Sequence, residues 1–180
     1  MAKKTSTTKK VITARNAITL IAHRGNTDGP SDAENHPEYI DGAIEKGYDV
    51  EIDVRCVDGR LWLGHDVPQY PTTFEWLNKR SNKLWIHTKD QESLMLLGLA
   101  AKNLGNWRYF WHSTDAFTLT SNGMIWCHDT NVSLNARCII PLLDCERVHA
   151  FSLEREWPGG ICSDYVDELR TRIDKYAKTQ

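Results

Sequence analysis

The sequence predicts an α/β chain in which short strands alternate with helices and curl into a trimmed barrel. Three observations predict it. From residue 17 onward, apolar strand-like runs alternate with helical patterns, which implies parallel βαβ units. Residues 48–55 alternate strictly, with Val50, Ile52 and Val54 on one face and Glu51, Asp53 and Arg55 on the other. The chain has 180 residues, whereas a full eightfold barrel takes about 250, so its helices must be short or partly missing.

Each element has a local reason. Residues 17–22 are an apolar run bounded by Gly25, which reads as a buried strand. Residues 34–46 carry Tyr39, Ile40, Ala43 and Ile44 at helical spacing, and Gly47 is placed to end that helix. After the alternating strand, Asp58 and Gly59 form a type I′ hairpin signal that returns the chain through residues 61–63. A short helix is expected over 74–78, a strand over 83–87 and a Leu-rich helix over 91–103. Strands follow over 108–112 and 124–128, with 117–120 open between strand and short helix. Ile139 and Ile140 argue for a strand over 138–143, and a last strand over 161–163 precedes a helix over 165–177.

Composition sets the class. Hydrophobic residues are 41% and charged residues 26%, as in a globular protein of one domain, here residues 16–180. No apolar run approaches the ~18 residues of a membrane span, and no secretory leader is recognisable, so the expectation is a cytoplasmic protein. Residues 1–15 hold five basic residues and no acidic one, and read as a disordered basic tail. The rest carries 17 basic against 24 acidic residues, a net charge that repels nucleic acid. Five scattered cysteines without a CxxC pair fit neither a zinc site nor a disulfide framework, and read as reduced thiols.

Chemistry-bearing residues collect at predicted strand ends. Glu51 and Asp53 project from one strand face; in a central parallel strand that face is buried, and two like charges there call for a divalent cation. An exposed face with two solvated acids is the alternative. His23, Arg24 and Gly25 follow the first strand, offering a proton carrier, a phosphate-binding fork and a close backbone approach. His65 and Asp66 follow the hairpin's return strand, and two histidines at neighbouring strand ends can share acid and base duties. His112 and His128 end later strands and are weaker candidates for the same mouth; His36 reads as a surface or capping residue.

Over residues 18–66, the run Ile21, Ala22, His23, Arg24 and Gly25, then Glu34 and Asn35, then Val50 to Val54, Asp58 with Gly59, and His65 with Asp66 resembles the glycerophosphodiester phosphodiesterase family in order, spacing and hairpin. Residues 84–89 sit where that family has a strand ending Glu-x-Lys, and residues 160–164 resemble its last strand. The resemblance implies a compact TIM-like (β/α) barrel, whole or incomplete, and a metal-dependent hydrolase of glycerophosphodiesters or similar small diesters, in lipid metabolism. It implies His23 and His65 as general acid and base, Arg24 and Lys89 as substrate-binding residues, and Glu51 and Asp53 as metal ligands. His87 stands where the family has a third carboxylate. The implied metal is therefore Mg²⁺ or Ca²⁺, with Mn²⁺ or Zn²⁺ open because imidazole suits them better. The family's usual insertion between His65 and His87 is absent, which predicts a more open cleft. The rivals are a non-catalytic phosphodiester-binding module, a two-histidine nuclease and a lyase that stops at a cyclic phosphate.

Overall fold

The computed structural model describes residues 18–129, 133–153 and 157–179. The expected basic tail lies outside them. The element order is β1 (Thr19–His23), α1 (Pro37–Glu45), β2 (Asp49–Val57), β3 (Arg60–Leu63), β4 (Tyr70–Pro71), α2 (Phe74–Lys79), β5 (Leu84–Thr88), α3 (Gln91–Leu104), β6 (Arg108–Phe110), β7 (Phe117–Leu119), β8 (Ile125–Cys127), β9 (Cys138–Pro141), α4 (Cys145–Ala150), β10 (Gly160–Ser163) and α5 (Val166–Lys178).

Eight strands form one curled path in the order β6-β5-β2-β1-β10-β9-β8-β7. Its first seven members run parallel, and β7 runs antiparallel to β8. The β3–β4 hairpin continues the outer half of β2 beyond the end of β1, through pairs such as Val54 with Leu63. Asp58 and Gly59 both take positive φ, 51° and 71°, as the expected type I′ turn requires.

The sheet is a half-barrel and not a closed one, the incomplete of the two forms expected. Parallel neighbours need a crossover of roughly a dozen residues or more. Only residues 111–116 separate β6 from β7, so the chain returns as an antiparallel hairpin with β8. Between β6 and β7 no strand pairing forms among the described residues. Ser121 bridges the opening: its amide donates to the Tyr109 carbonyl at 2.9 Å and its hydroxyl to the Trp107 carbonyl at 2.7 Å. Residues 117–120, open between two readings, supply strand β7.

The first helix also starts later than its apolar spacing suggests. Pro37 occupies the first helical turn and holds His36 in an extended conformation, φ −68° and ψ 133°. His36 caps the helix by accepting from the Glu38 amide at 3.3 Å, as one of its two readings has it. Residues 34 and 35 are thereby left outside α1, with Asn35 at φ 62°. Two short elements, β4 and α4, were not legible in the sequence; Asp144 caps α4 by accepting from the Arg147 amide at 2.7 Å.

Strand alternation divides the core. Val50, Ile52 and Val54 face outward into a cluster with Ile40 and Ala43 of α1 and Leu97 of α3. Each such fully buried aliphatic side chain contributes about 1.5–3 kcal/mol. Inside the curl, Ile21, Trp85, Phe110, Trp126, Ile139 and Cys162 form a separate apolar layer. Below it, Asp49 accepts from Trp85 Nε1 at 3.1 Å and Arg108 Nη1 at 2.7 Å, which neutralises the carboxylate at the floor. The five cysteines are free thiols, and only Cys145 is part-exposed. Among the described residues, no helix is long and apolar enough to cross a membrane.

Candidate metal centre and cleft

The inward face of β2 carries Asp49, Glu51 and Asp53 in succession, and the second and third reach the carboxyl-terminal end of the strands. Glu51 is 3% exposed and Asp53 fully buried, so the alternative of a solvated acidic face is overturned. Parallel pairing sets Asp53 opposite His87 of β5 and Glu51 opposite His23 of β1. Glu51, Asp53 and His87 each offer a ligand atom within 4.8 Å of the others, a group that could hold a metal ion. His87 Nδ1 lies 3.3 Å from Asp53 Oδ1 and 3.7 Å from Glu51 Oε1. Asp53 Oδ1 and Glu51 Oε2 are buried without a hydrogen-bond partner. Native proteins seldom leave such oxygens unpaired, and two of them beside an imidazole suit a divalent cation.

The surrounding groups hold these ligands in place. Asn35 donates to Asp53 Oδ2 at 3.0 Å and accepts from the Asp53 amide at 2.9 Å, and Arg24 Nε approaches the same oxygen at 3.0 Å. Arg24 also donates to Glu34 at 2.9 Å. Lys89 Nζ stands 3.6 Å from Asp53 Oδ1. His23 Nδ1 is fixed 2.8 Å from Asp164 at the end of β10, and Asn26 donates to Asp164 at 2.7 Å and to Glu34 at 2.8 Å. His65 follows Gly64, whose φ of 145° and tight approach to the Val67 carbonyl leave no room for a side chain. Its Nδ1 lies 2.8 Å from Asp66, and its carbonyl is gripped by the Arg55 guanidinium.

His23, Arg24, Glu51, His65 and His87 line one cleft of about 200 Å³, together with Phe110, which stacks on His87, and Trp126. The structure thus brings all seven sequence-derived site residues together: five on the cleft wall, with Asp53 and Lys89 packed against them. His112 and His128 line the same cleft. Their ring centroids lie 3.8 Å apart at a tilt of 37°, and His112 stacks on His87 at 4.7 Å. Sequence reasoning gave no role to Asn35, Asn26 and Asp164. Asn35 and Asp164 stood within the runs that carry the resemblance, and asparagine just ahead of His36-Pro37 tolerates the left-handed backbone found there.

The electrostatics follow from burial and charge. Glu51 is pushed up to about 7, first by burial and then by Asp53, against the pull of His23, Arg24 and Lys89. Burial works on Asp53 in the same sense, but His87, Arg24 and Asn35 outweigh it and hold it well below the usual range. His87 is pushed down to about 4 by burial, reinforced by Lys89 and His112 and opposed by Asp53. Burial lowers His23 as well, yet its bond to Asp164 and the nearby Glu51 charge leave it raised overall. Burial also lowers His112, and takes His128 down to about 4.

A pH dependence of cation binding follows. A cation needs Glu51 ionised, so binding expels the proton that the metal-free protein holds up to about pH 7. Mn²⁺ affinity is expected to rise about tenfold per pH unit below 7 and level off above it. Calorimetry in buffers of different ionisation heat should detect about one released proton near pH 6.5; pH-independent affinity would contradict the assignment. The folding linkage has a definite sign. Because Glu51 is raised in the folded state, its contribution is full below pH 4.5 and is lost as pH rises through about 7. Asp53 acts oppositely: its contribution is present above 3.8 and is lost as pH falls from there.

Comparison of the chain with models of protein families, with curated proteins and with solved structures finds no match.

Proposed function

We propose that the protein is a metal-dependent phosphodiester hydrolase acting on glycerophosphodiesters or a similar small diester. The observation that carries this reading is the convergence of two carboxylate-held imidazoles, His23 and His65, on the cleft that contains the buried Glu51, Asp53 and His87 group. Each histidine has Nδ1 engaged by an aspartate, which orients the ring and leaves Nε2 for proton transfer.

One imidazole takes the proton of a substrate hydroxyl as that oxygen attacks phosphorus. The other gives a proton to the departing alkoxide oxygen, leaving a cyclic phosphodiester. The roles reverse when water opens the ring, so both histidines end in their starting states. Arg24 and Lys89 supply fixed positive charge toward the phosphoryl oxygens. A divalent cation held by Glu51, Asp53 and His87 would add charge stabilisation there. The two carboxylates suit Mg²⁺ or Ca²⁺, and the His87 imidazole leaves Mn²⁺ or Zn²⁺ open. The net negative charge of residues 16–180 disfavours a polyanionic nucleic-acid substrate.

The test is turnover of glycerophosphocholine and of a chromogenic diester by metal-stripped protein, with Mg²⁺, Ca²⁺, Mn²⁺ and Zn²⁺ restored separately. Restored activity, with ³¹P NMR showing a linear monoester as final product, is the expected result. Accumulation of the cyclic phosphate would select the lyase instead. Absence of turnover with all four metals would overturn the reading.

A further inference from the structure

We propose that Cys145 is a base-assisted nucleophilic thiol, a modification site outside the cleft that attacks small disulfides and becomes a mixed disulfide. Three chemistry-bearing side chains from two helices meet there. Cys145 Sγ lies 3.7 Å from Nδ1 of His149, one turn further along α4. On the far side of the ring, His149 Nε2 faces Glu168 Oε1 of α5 at 3.7 Å. The order is nucleophile, base and orienting carboxylate. Glu168 favours the tautomer with the ring proton on Nε2, which leaves Nδ1 to accept the thiol hydrogen. A metal centre does not fit, since sulfur and carboxylate engage opposite ring nitrogens and the three do not converge on one point.

The alignment is built into the fold. Arg172 of α5, one turn beyond Glu168, donates to the Val148 carbonyl and, at 3.0 Å, to the Phe151 carbonyl, which fixes the end of α4. Val148 and Leu169 belong to one core cluster between the two helices. Access then singles out this thiol. Cys56, Cys127, Cys138 and Cys162 are buried, and burial pushes the Cys56 thiol up to about 11 and that of Cys127 to about 12. Cys145 is part-exposed, and His149 and Glu168 are 59% and 41% exposed, so a disulfide in solution reaches the sulfur. In the reaction His149 Nδ1 accepts the thiol proton as Sγ attacks one sulfur of the disulfide. The old S–S bond breaks as the new one forms, and the departing thiolate takes the proton from Nδ1. One thiol is consumed and one released, so the disulfide is the only oxidant.

The test follows thiopyridone release from 4,4′-dithiodipyridine by the full chain, in the wild type, Cys145→Ser, His149→Gln and Glu168→Gln. None of the three positions is buried, so each variant keeps the fold. The wild type is expected to release one fast equivalent, mapped to Cys145 by peptide mass spectrometry and absent in Cys145→Ser. His149→Gln is expected to slow it about tenfold at pH 7 and to give the steep rise with pH of an unassisted thiol, about tenfold per unit, where the wild-type profile is shallower. Glu168 acts through His149, so Glu168→Gln is expected to give a rate and a pH profile between the two. A fast equivalent that survives Cys145→Ser overturns the assignment. So does a pH profile of His149→Gln or Glu168→Gln that matches the wild type.

Discussion

Glu51→Gln is expected to weaken divalent-cation binding on the order of 100-fold and to lower turnover about 10³-fold, while leaving the metal-free protein at pH 8 as stable as the wild type or more so. The two halves of this result have one cause. Glu51 is buried beside Asp53, and its ionised form is disfavoured enough to hold a proton up to about pH 7. An amide of the same shape removes the like-charge repulsion and can donate to the unpartnered Asp53 Oδ1. It cannot supply an anionic ligand. Asp53→Asn should lose binding as well but with the opposite effect on the fold. Asp53 is anchored by Arg24, Lys89 and Asn35, and neutralising it takes a buried counter-charge from Lys89 and leaves Arg24 with Glu34. That variant is expected to be destabilised by on the order of 3 kcal/mol. Urea titration of both metal-free variants at pH 8, with Mn²⁺ calorimetry, measures the contrast; equal destabilisation would refute the charge assignment.

His65→Ala is expected to lower kcat by about 10²–10⁴-fold, the range lost with a general acid or base, with cation affinity and fold unchanged. Its side chain is 38% exposed, so its removal leaves no enclosed cavity in the interior. The same substitution at His23 has a further consequence. It also strips Asp164 of a buried partner, so some loss of stability accompanies the lost activity there. Single-turnover rates and thermal melts of the two variants separate proton transfer from packing. Retained turnover in His65→Ala would remove that residue from the reaction.

The half of the site that lies on local pattern was legible in the sequence, because a strand's alternation places residues without knowledge of the rest of the fold. Glu51 and Asp53 share a face by virtue of their spacing alone, and the Asp58-Gly59 turn brings the chain back toward His65. What escaped was set by distant pairing. Asp164 reaches His23 only because β10 lies beside β1, a neighbourhood 141 residues apart in sequence. His112 and His128 were legible as candidates for the same mouth, but not that their rings would meet at 3.8 Å. The helix beginning at 34 was misplaced because apolar spacing outweighed Pro37; the proline wins, since its ring fixes the preceding residue outside the helix. That local outcome matters to the site, as it frees Asn35 to hold Asp53.

The opening between β6 and β7 interrupts the sheet outside the strands that carry most of the residues assigned to the proposed chemistry. His23, Glu51, Asp53, His87 and Asp164 all stand on or just beyond four consecutive strands, β10, β1, β2 and β5. In the proposed function that arc is the reaction platform, completed by His65 from beyond β3, and the rest of the sheet forms a frame around the cleft. Under that reading, insertions, deletions or a swapped hairpin in the frame would reshape the cleft while leaving the Glu51, Asp53 and His87 group in place. A shortened barrel of this kind separates the two tasks along the circumference, so that the frame is free to vary while the platform stays fixed.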